Sequence, residues 1–324
     1  MLMNLPEITT LLCLSVISVA ATGQEYPNKP IRMVLPYGPG GGFDNAGRPM
    51  ALQMAKHLGE PIIVDNRAGA NGTIGTAMVA NASPDGYTIG FTGIGPLAVI
   101  PYLNKLSYDP IKDLAPISFV LTNPAVLVVR PSLPVRNVAE LVAYARTRPG
   151  ALNYGSSGTA GPFHLAMELF NAKAGLKTTH VPYKGGADNI VGMIAGDVEL
   201  GFAAVSTTLP PIRSGRLRAI GVSGTVRSPQ LPEVPTIAES GVTELKDYSA
   251  EAWVGLVAPA HTPRRIIQQL RSALMKALAD PDFQQKMVEQ GNHIVGSTPE
   301  QFADIIKKER VKWSEVIRIS GAKM

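Results

Sequence analysis

From Pro30 onward, apolar segments of strand length alternate with amphipathic helical patterns along the whole chain. That alternation predicts an α/β architecture, in which parallel strands form a sheet and the helices between them cover both faces. The strand-like segments are Ile31 to Tyr37, Ile62 to Asp65, Thr88 to Thr92, Val126 to Arg130, Leu152 to Gly155, His180 to Pro182, Leu200 to Ala204, Leu217 to Val222 and Trp253 to Ala258. Helical patterns fill the gaps, most clearly over Asp44 to His57, Thr73 to Ala82, Val138 to Arg148, Pro162 to Ala174, Asp188 to Ala195, Pro263 to Ala279 and Pro299 to Ile319. Two of these helices open on Thr-Pro pairs, Thr262-Pro263 and Thr298-Pro299, in which a capping hydroxyl precedes a proline in the first turn.

At roughly 150 residues per domain, a chain of 324 residues suggests two domains. With 45% hydrophobic and 17% charged residues it can bury a sizeable core. Between Ser223 and Ala250 the alternation dissolves into turns rich in Pro, Gly and Ser, which reads as a return linker, and a second boundary falls near Thr122-Asn123-Pro124. The expected organisation is two-lobed: 24–122 plus 248–324 form one lobe and 123–247 an inserted second. Each lobe is expected to be a mainly parallel sheet flanked by helices, with a cleft between the lobes.

The N-terminus stands apart. Leu11 to Ala21 is an apolar run closing on small residues, and it reads as the core of a secretory leader over residues 1–23. It falls short of the roughly 20 residues that span a bilayer. The single cysteine, Cys13, lies within it, so a processed chain has no thiol for a disulfide or a metal. The formal net charge of +5 is dispersed, and the clusters Arg264-Arg265 and Lys307-Lys308-Glu309-Arg310 read as solvated helix faces, which argues against a nucleic-acid partner.

Two glycine-rich loops carry the chemistry. Each follows a strand and opens directly into a helix. The first is Pro36-Tyr37-Gly38-Pro39-Gly40-Gly41-Gly42-Phe43-Asp44, and the second is Tyr154-Gly155-Ser156-Ser157-Gly158-Thr159-Ala160-Gly161-Pro162. Glycines leave the amides at a helix start unshielded, and those amides, with the positive end of the helix dipole, suit a carboxylate or phosphate. In a wound sheet such loops gather outside the carboxyl ends of the strands. A dinucleotide fingerprint fails on spacing, because taking Gly38 and Gly40 as its first two glycines puts Phe43 where the third must be Gly or Ala. The Gly-Lys-Ser/Thr ending of a P-loop is absent, and Thr159 stands where a nucleophile elbow through Ser157 needs glycine. The five histidines have no metal-site spacing. No cofactor, metal or catalytic residue is expected. His164 reads first as a partly buried histidine and Lys184 as a solvated loop residue. Asp44 reads as a helix cap. With Ser206, these three could support a ligand from behind.

Taken together, these segments resemble the Bug family, the extracytoplasmic solute-binding proteins of tripartite tricarboxylate transporters. The resemblance spans nearly the whole chain after the leader. It is carried by Tyr26-Pro27-Asn28-Lys29-Pro30-Ile31, Pro39-Gly40-Gly41-Gly42-Phe43-Asp44, Val64-Asp65-Asn66-Arg67-Ala68-Gly69-Ala70-Asn71-Gly72 and Pro84-Asp85-Gly86-Tyr87-Thr88. Further along come Val181-Pro182-Tyr183-Lys184-Gly185-Gly186, Leu231-Pro232-Glu233-Val234-Pro235-Thr236 and Glu251-Ala252-Trp253-Val254-Gly255-Leu256. It implies a periplasmic protein with the two-lobed binding-protein fold that closes on a small carboxylate and delivers it to membrane permease subunits, or acts as a ligand sensor. By position, it implies that Gly40, Gly41, Gly42, Phe43, Ala70, Asn71, Ser157, Gly158, Thr159, Ala160 and Gly161 line the ligand. The alternative is an α/β enzyme acting on an organic acid, from which turnover would distinguish it.

Overall fold

The computed structural model describes residues 26–159 and 161–320. The leader and Ala160 lie outside the described residues. In chain order the elements are β1 (Ile31–Leu35), α1 (Gly42–Leu58), β2 (Ile62–Asn66), α2 (Thr73–Ala80), β3 (Thr88–Gly93) and β4 (Leu114–Asn123). Then come β5 (Ala125–Val129), α3 (Val138–Arg146), β6 (Asn153–Ser156), α4 (Pro162–Ala174), β7 (Thr179–Pro182), α5 (Gly186–Ala195), β8 (Leu200–Ala204), α6 (Val205–Arg213) and β9 (Arg218–Val222). The chain ends with β10 (Ala252–Pro259), α7 (Arg264–Leu278), α8 (Pro281–Glu289), β11 (His293–Ile294) and α9 (Pro299–Ser320).

The strands form two sheets flanked by helices, one of order β11-β4-β10-β3-β1-β2 and one of order β7-β6-β8-β5-β9. Both are mixed. β1 runs parallel to β2 and β3, and β6 parallel to β7 and β8, as the alternating pattern predicts. The antiparallel partners are the strands by which the chain changes sheets and their neighbours. β4 leads out of the first sheet and β10 leads back into it, so the two run in opposite directions side by side. β5 enters the second sheet against the direction of β8 and β9. Only Pro124 separates β4 from β5.

Four further elements were hidden in the sequence: β4, α6, α8 and the two-residue β11. β4 contains Pro116, which breaks a strand pattern on paper. Here Pro116 pairs with Val257 next to a register shift in β10, the kind of irregularity at which a strand tolerates a residue without an N–H. α6 contains Pro210 and Pro211, which mask a helix, and α8 follows α7 after a single turn. Thr298 caps α9 as expected: Gln301 N–H donates to its Oγ1 at 3.2 Å and its own N–H to Gln301 Oε1 at 2.9 Å. Thr262 does not cap α7. Its hydroxyl instead donates backward to Pro259 O at 2.7 Å, and Pro263 takes the cap position.

One apolar cluster lies between the first sheet and α1 and α7, built on Met33, Met50, Phe91 and Leu274. A second is shared by the two sheets. It joins Leu127, Tyr154, Leu165 and Phe170 to Phe302, Ile306, Trp313 and Val316 of α9. The last helix therefore packs across both halves of the molecule.

Candidate functional site

The first glycine loop is held from within. Gly41 is the N-cap residue of α1, and Asp44, buried in its first turn, reaches back to accept from Gly40 N–H at 3.0 Å. Asn66 Nδ2 donates to Asp44 Oδ1 and to Tyr37 O, both at 3.0 Å, and Arg48 Nε donates to Asp44 Oδ2 at 2.9 Å. Burial alone would raise the Asp44 carboxyl, but these hydrogen bonds and the Arg48 charge outweigh it and hold it below the usual carboxylate range. The anticipated capping role of Asp44 thus takes a different form: it fixes the loop, and it occupies the Gly40 amide. The first helix-type bond of α1 runs from Asn45 N–H to Gly41 O at 2.9 Å. The amides of Gly42, Phe43 and Asp44 therefore have no helical carbonyl to meet.

The second loop is braced in the same way. Ser156 is fully buried. Its Oγ donates to Gly158 O at 3.0 Å, accepts from Gly158 N–H at 3.2 Å, and lies 2.7 Å from His180 Nε2. With the hydroxyl proton on Gly158 O, the hydrogen-bond network places a proton on His180 Nε2. This serine–histidine pair braces the loop. Gly161 N–H donates to Gly158 O at 3.3 Å, so the amides of Gly158 and Gly161 are also occupied within the loop. The His164 and His180 rings are 4.0 Å apart, with Tyr154 stacked 4.9 Å from His180. Burial pushes both imidazoles down to about 4. Tyr154 Oη donates to Glu168 Oε1 at 2.5 Å at the back of the cluster.

Between the two sheets lie two adjoining chambers of about 380 and 220 Å³, which share Phe43, Ala252 and Trp253 on their walls. In the larger chamber Gly42, Phe43 and Asn45 from the start of α1 face Ala204, Ser206 and Thr207 from the start of α6, one helix start from each sheet. In the smaller chamber Tyr37, Phe43 and Asn71 face Gly161, Pro162 and Leu165 at the start of α4, with Trp253 and Trp313 as the apolar floor. The neighbouring turn Ala70–Gly72 is strained, with positive φ at Ala70 (44°) and Asn71 (51°), a conformation that non-glycine residues hold mostly at ligand sites and turns.

The structure therefore gathers Gly42, Phe43, Asn71, Gly161 and Ser206 at the cleft. Gly40, Gly41, Ala70, Ser157, Gly158 and Thr159 sit in the same loops without lining either chamber, and Ser157 Oγ stands 3.8 Å from where a side chain on Gly161 would begin. His164 is buried behind the second loop, and Lys184 is exposed on the loop after β7. Sequence reasoning passed over Thr207, Asn123, Asn292, Glu251 and the two tryptophans. The start of α6 could have been found from the hydroxyls Ser206-Thr207 directly after a strand. The tryptophans carry no such signal until the sheets are assembled.

The family model described as "Tripartite tricarboxylate transporter family receptor" matches residues 46–321. Protein BugT of Bordetella pertussis is 34% identical over 310 residues, 95% of this chain and 94% of the relative. Among solved structures, R. palustris Rpa4515 with adipate is 32% identical with a TM-score of 0.77, covering 93% of this chain and 100% of the other. The periplasmic binding protein BugD is 33% identical with a TM-score of 0.73, covering 92% and 99%.

Proposed function

The chain belongs to the Bug family, the receptors of tripartite tricarboxylate transporters, and from that premise we propose that it captures a small carboxylate between two lobes and delivers it to membrane permease subunits of that transporter type. The observation that carries this reading is the larger chamber, where the starts of α1 and α6 meet from opposite sheets. Unpartnered amides at two helix starts suit one anion, and hydrogen bonds to a charged group contribute roughly 1.5–3 kcal/mol each. Three or four of them reach the roughly 8 kcal/mol of micromolar affinity without a cationic side chain. The adipate complex of a relative supports the ligand class. BugD, a periplasmic binding protein, supports a periplasmic location for this chain once residues 1–23 are removed. We assign 24–122 plus 248–324 to one lobe and 123–247 to the other.

Isothermal titration of the mature protein with a panel of mono- and dicarboxylates tests the reading. Saturable, stoichiometric binding of a carboxylate, unaltered at the end of the titration, is expected. Equal binding of the corresponding amides, or turnover of the acid, would overturn it.

A further inference from the structure

The cleft also specifies what its ligand carries beyond the carboxylate. Among the described residues, neither chamber is lined by a lysine, arginine or histidine. The larger chamber, where the two helix starts meet, is walled besides by Leu121, Ala252, Trp253 and Val254 and by neutral amides: Asn123 Nδ2 donates to Asn292 Oδ1 at 2.8 Å, with Gln290 beside them. The smaller chamber adjoins it at the shared wall residues Phe43, Ala252 and Trp253, which we take as the passage. Phe43 lies against β3 at Gly93, where an added Cβ would come within 2.8 Å of its Cζ, so the ring is seated at this point by a glycine. Beyond the passage the walls are Ile94, Val99, Ile100, Leu165 and the two tryptophans, and Trp253 and Trp313 are the only tryptophans of the chain.

Among the described residues, the one ionisable wall residue of the smaller chamber, apart from the phenol of Tyr37, is an acid, Glu251. Its carboxylate accepts from Thr122 Oγ1 at 3.0 Å. Lys312, the cation that acts on it, is engaged by Glu309 and by Ser249 O. An anion entering this chamber would leave water and meet no cationic side chain among the described residues, with the start of α4 at Gly161-Pro162 as its one anion-ready edge and the charge of Glu251 close by. An apolar ring would meet aromatic and aliphatic walls, in a volume comparable with the ~150 Å³ engineered cavity that admits benzene.

We infer that the ligand is a monocarboxylate with a flat apolar body: its carboxylate sits at the starts of α1 and α6, and its body passes between Phe43 and Trp253 into the smaller chamber. This rests on the carboxylate-binding reading above and narrows it, setting di- and tricarboxylates aside for this chain. Glu251 is the residue that selects against a second negative charge.

Tryptophan fluorescence and calorimetry with 3-phenylpropanoate, 3-phenylpropanamide, adipate and malate test this on the mature protein. The expected result is that 3-phenylpropanoate binds at least tenfold more tightly than adipate or malate, with a change in tryptophan emission, and that the amide does not compete. In Glu251→Gln the preference over adipate should shrink at least threefold, mainly through tighter adipate binding. Adipate or malate binding as tightly as 3-phenylpropanoate would overturn the inference and leave the carboxylate reading standing. Amide binding equal to the acid, or no binding by any of the four, would overturn both. Should Glu251→Gln fail to fold, Leu165→Trp, which fills the smaller chamber, must weaken 3-phenylpropanoate at least tenfold; unchanged affinity would overturn the placement of the body.

Discussion

Asp44 shows how one side chain sets the geometry of a loop that has no side chains of its own. It accepts from the Gly40 amide, Asn66 and Arg48 at once, so Asp44→Ala leaves those donors without their acceptor and should cost about 2–3 kcal/mol in urea unfolding, with weaker ligand binding. Gly42→Val isolates the chamber from the fold. A Cβ there meets nothing within 4 Å, so stability should change by less than about 1 kcal/mol while calorimetry shows at least tenfold weaker binding. Gly158 is a poorer probe, because its φ of 127° strains any other residue whatever the ligand does. The buried histidines give a pH dependence with a definite sign. An unfolded histidine titrates near 6.5, and burial holds His164 and His180 at about 4 in the folded chain. Between those values the unfolded state binds more protons. Their contribution is therefore fully present above pH 6.5, is lost as the pH falls to about 4, and changes no further below that. For His164 the loss is on the order of 3 kcal/mol at most. Glu251, whose carboxyl burial pushes up, acts in the opposite sense, so the readout is the difference in urea stability between wild type and His164→Gln at pH 7 and pH 4. Equal slopes for the two proteins would show that His164 is not held neutral. At this scale the glycine loops were legible because glycine runs at helix starts have few other uses. Which amides remain open was not, because it depends on Asp44 and Ser156 folding back on their own loops.

α9 shows what element-scale reading captures and misses. Lys307-Lys308-Glu309-Arg310 reads as a charged run, and Lys307 and Lys308 are indeed exposed. Phe302, Ile306, Trp313 and Val316 recur at helical spacing on one buried face, and Glu309 falls at a position of that same stripe. Turned inward, it accepts from Trp313 Nε1 at 2.8 Å and Trp253 Nε1 at 3.1 Å and pairs with Lys312. Arg310 donates to Leu97 O at 3.3 Å. The helical period could have shown this; charge counting alone could not. Glu309→Ala would strand two indole N–H groups and a lysine, so a loss of about 3–5 kcal/mol is expected. Glu309→Gln, which keeps an acceptor, should lose less than half of that. Both should shift tryptophan emission, since Trp253 and Trp313 are the only fluorophores of their kind in the chain. An unchanged spectrum in Glu309→Ala would detach Glu309 from the tryptophans. β4 and α6 stayed hidden for a simpler reason. Prolines at 116, 210 and 211 mark breaks in most chains, whereas here a register shift and a short helix accommodate them.

At the scale of the molecule, the two places where the chain changes sheets were visible as shifts in composition near Thr122-Asn123-Pro124 and before Trp253. The antiparallel pairing that follows was not, because it depends on β4 and β10 lying side by side, a fact of assembly and not of local pattern. The crossings are stitched together. Thr122 Oγ1 donates to Glu251 Oε1 at 3.0 Å, Ala125 N–H to Ser223 Oγ at 2.8 Å, and Ala250 N–H to Ser223 O at 3.0 Å. On the proposed two-lobed reading, any bending would fall on the few residues of each crossing, while α9 packs against both halves and against α4. A ligand shifts such an equilibrium only by binding one state better than the other. On the proposed reading the cleft would supply that difference, since its walls come from the starts of α1 on one side and of α4 and α6 on the other, so a small acid would touch both sides only when they are close. Small-angle scattering should accordingly give a smaller radius of gyration at saturating carboxylate than without it. Gly42→Val should abolish the change at the same ligand concentration, because it removes the α1 side of the grip and leaves the crossings intact. If calorimetry shows saturation but the radius does not move in a protein that scatters as open, the ligand is held by one side alone and the cleft does not close on it.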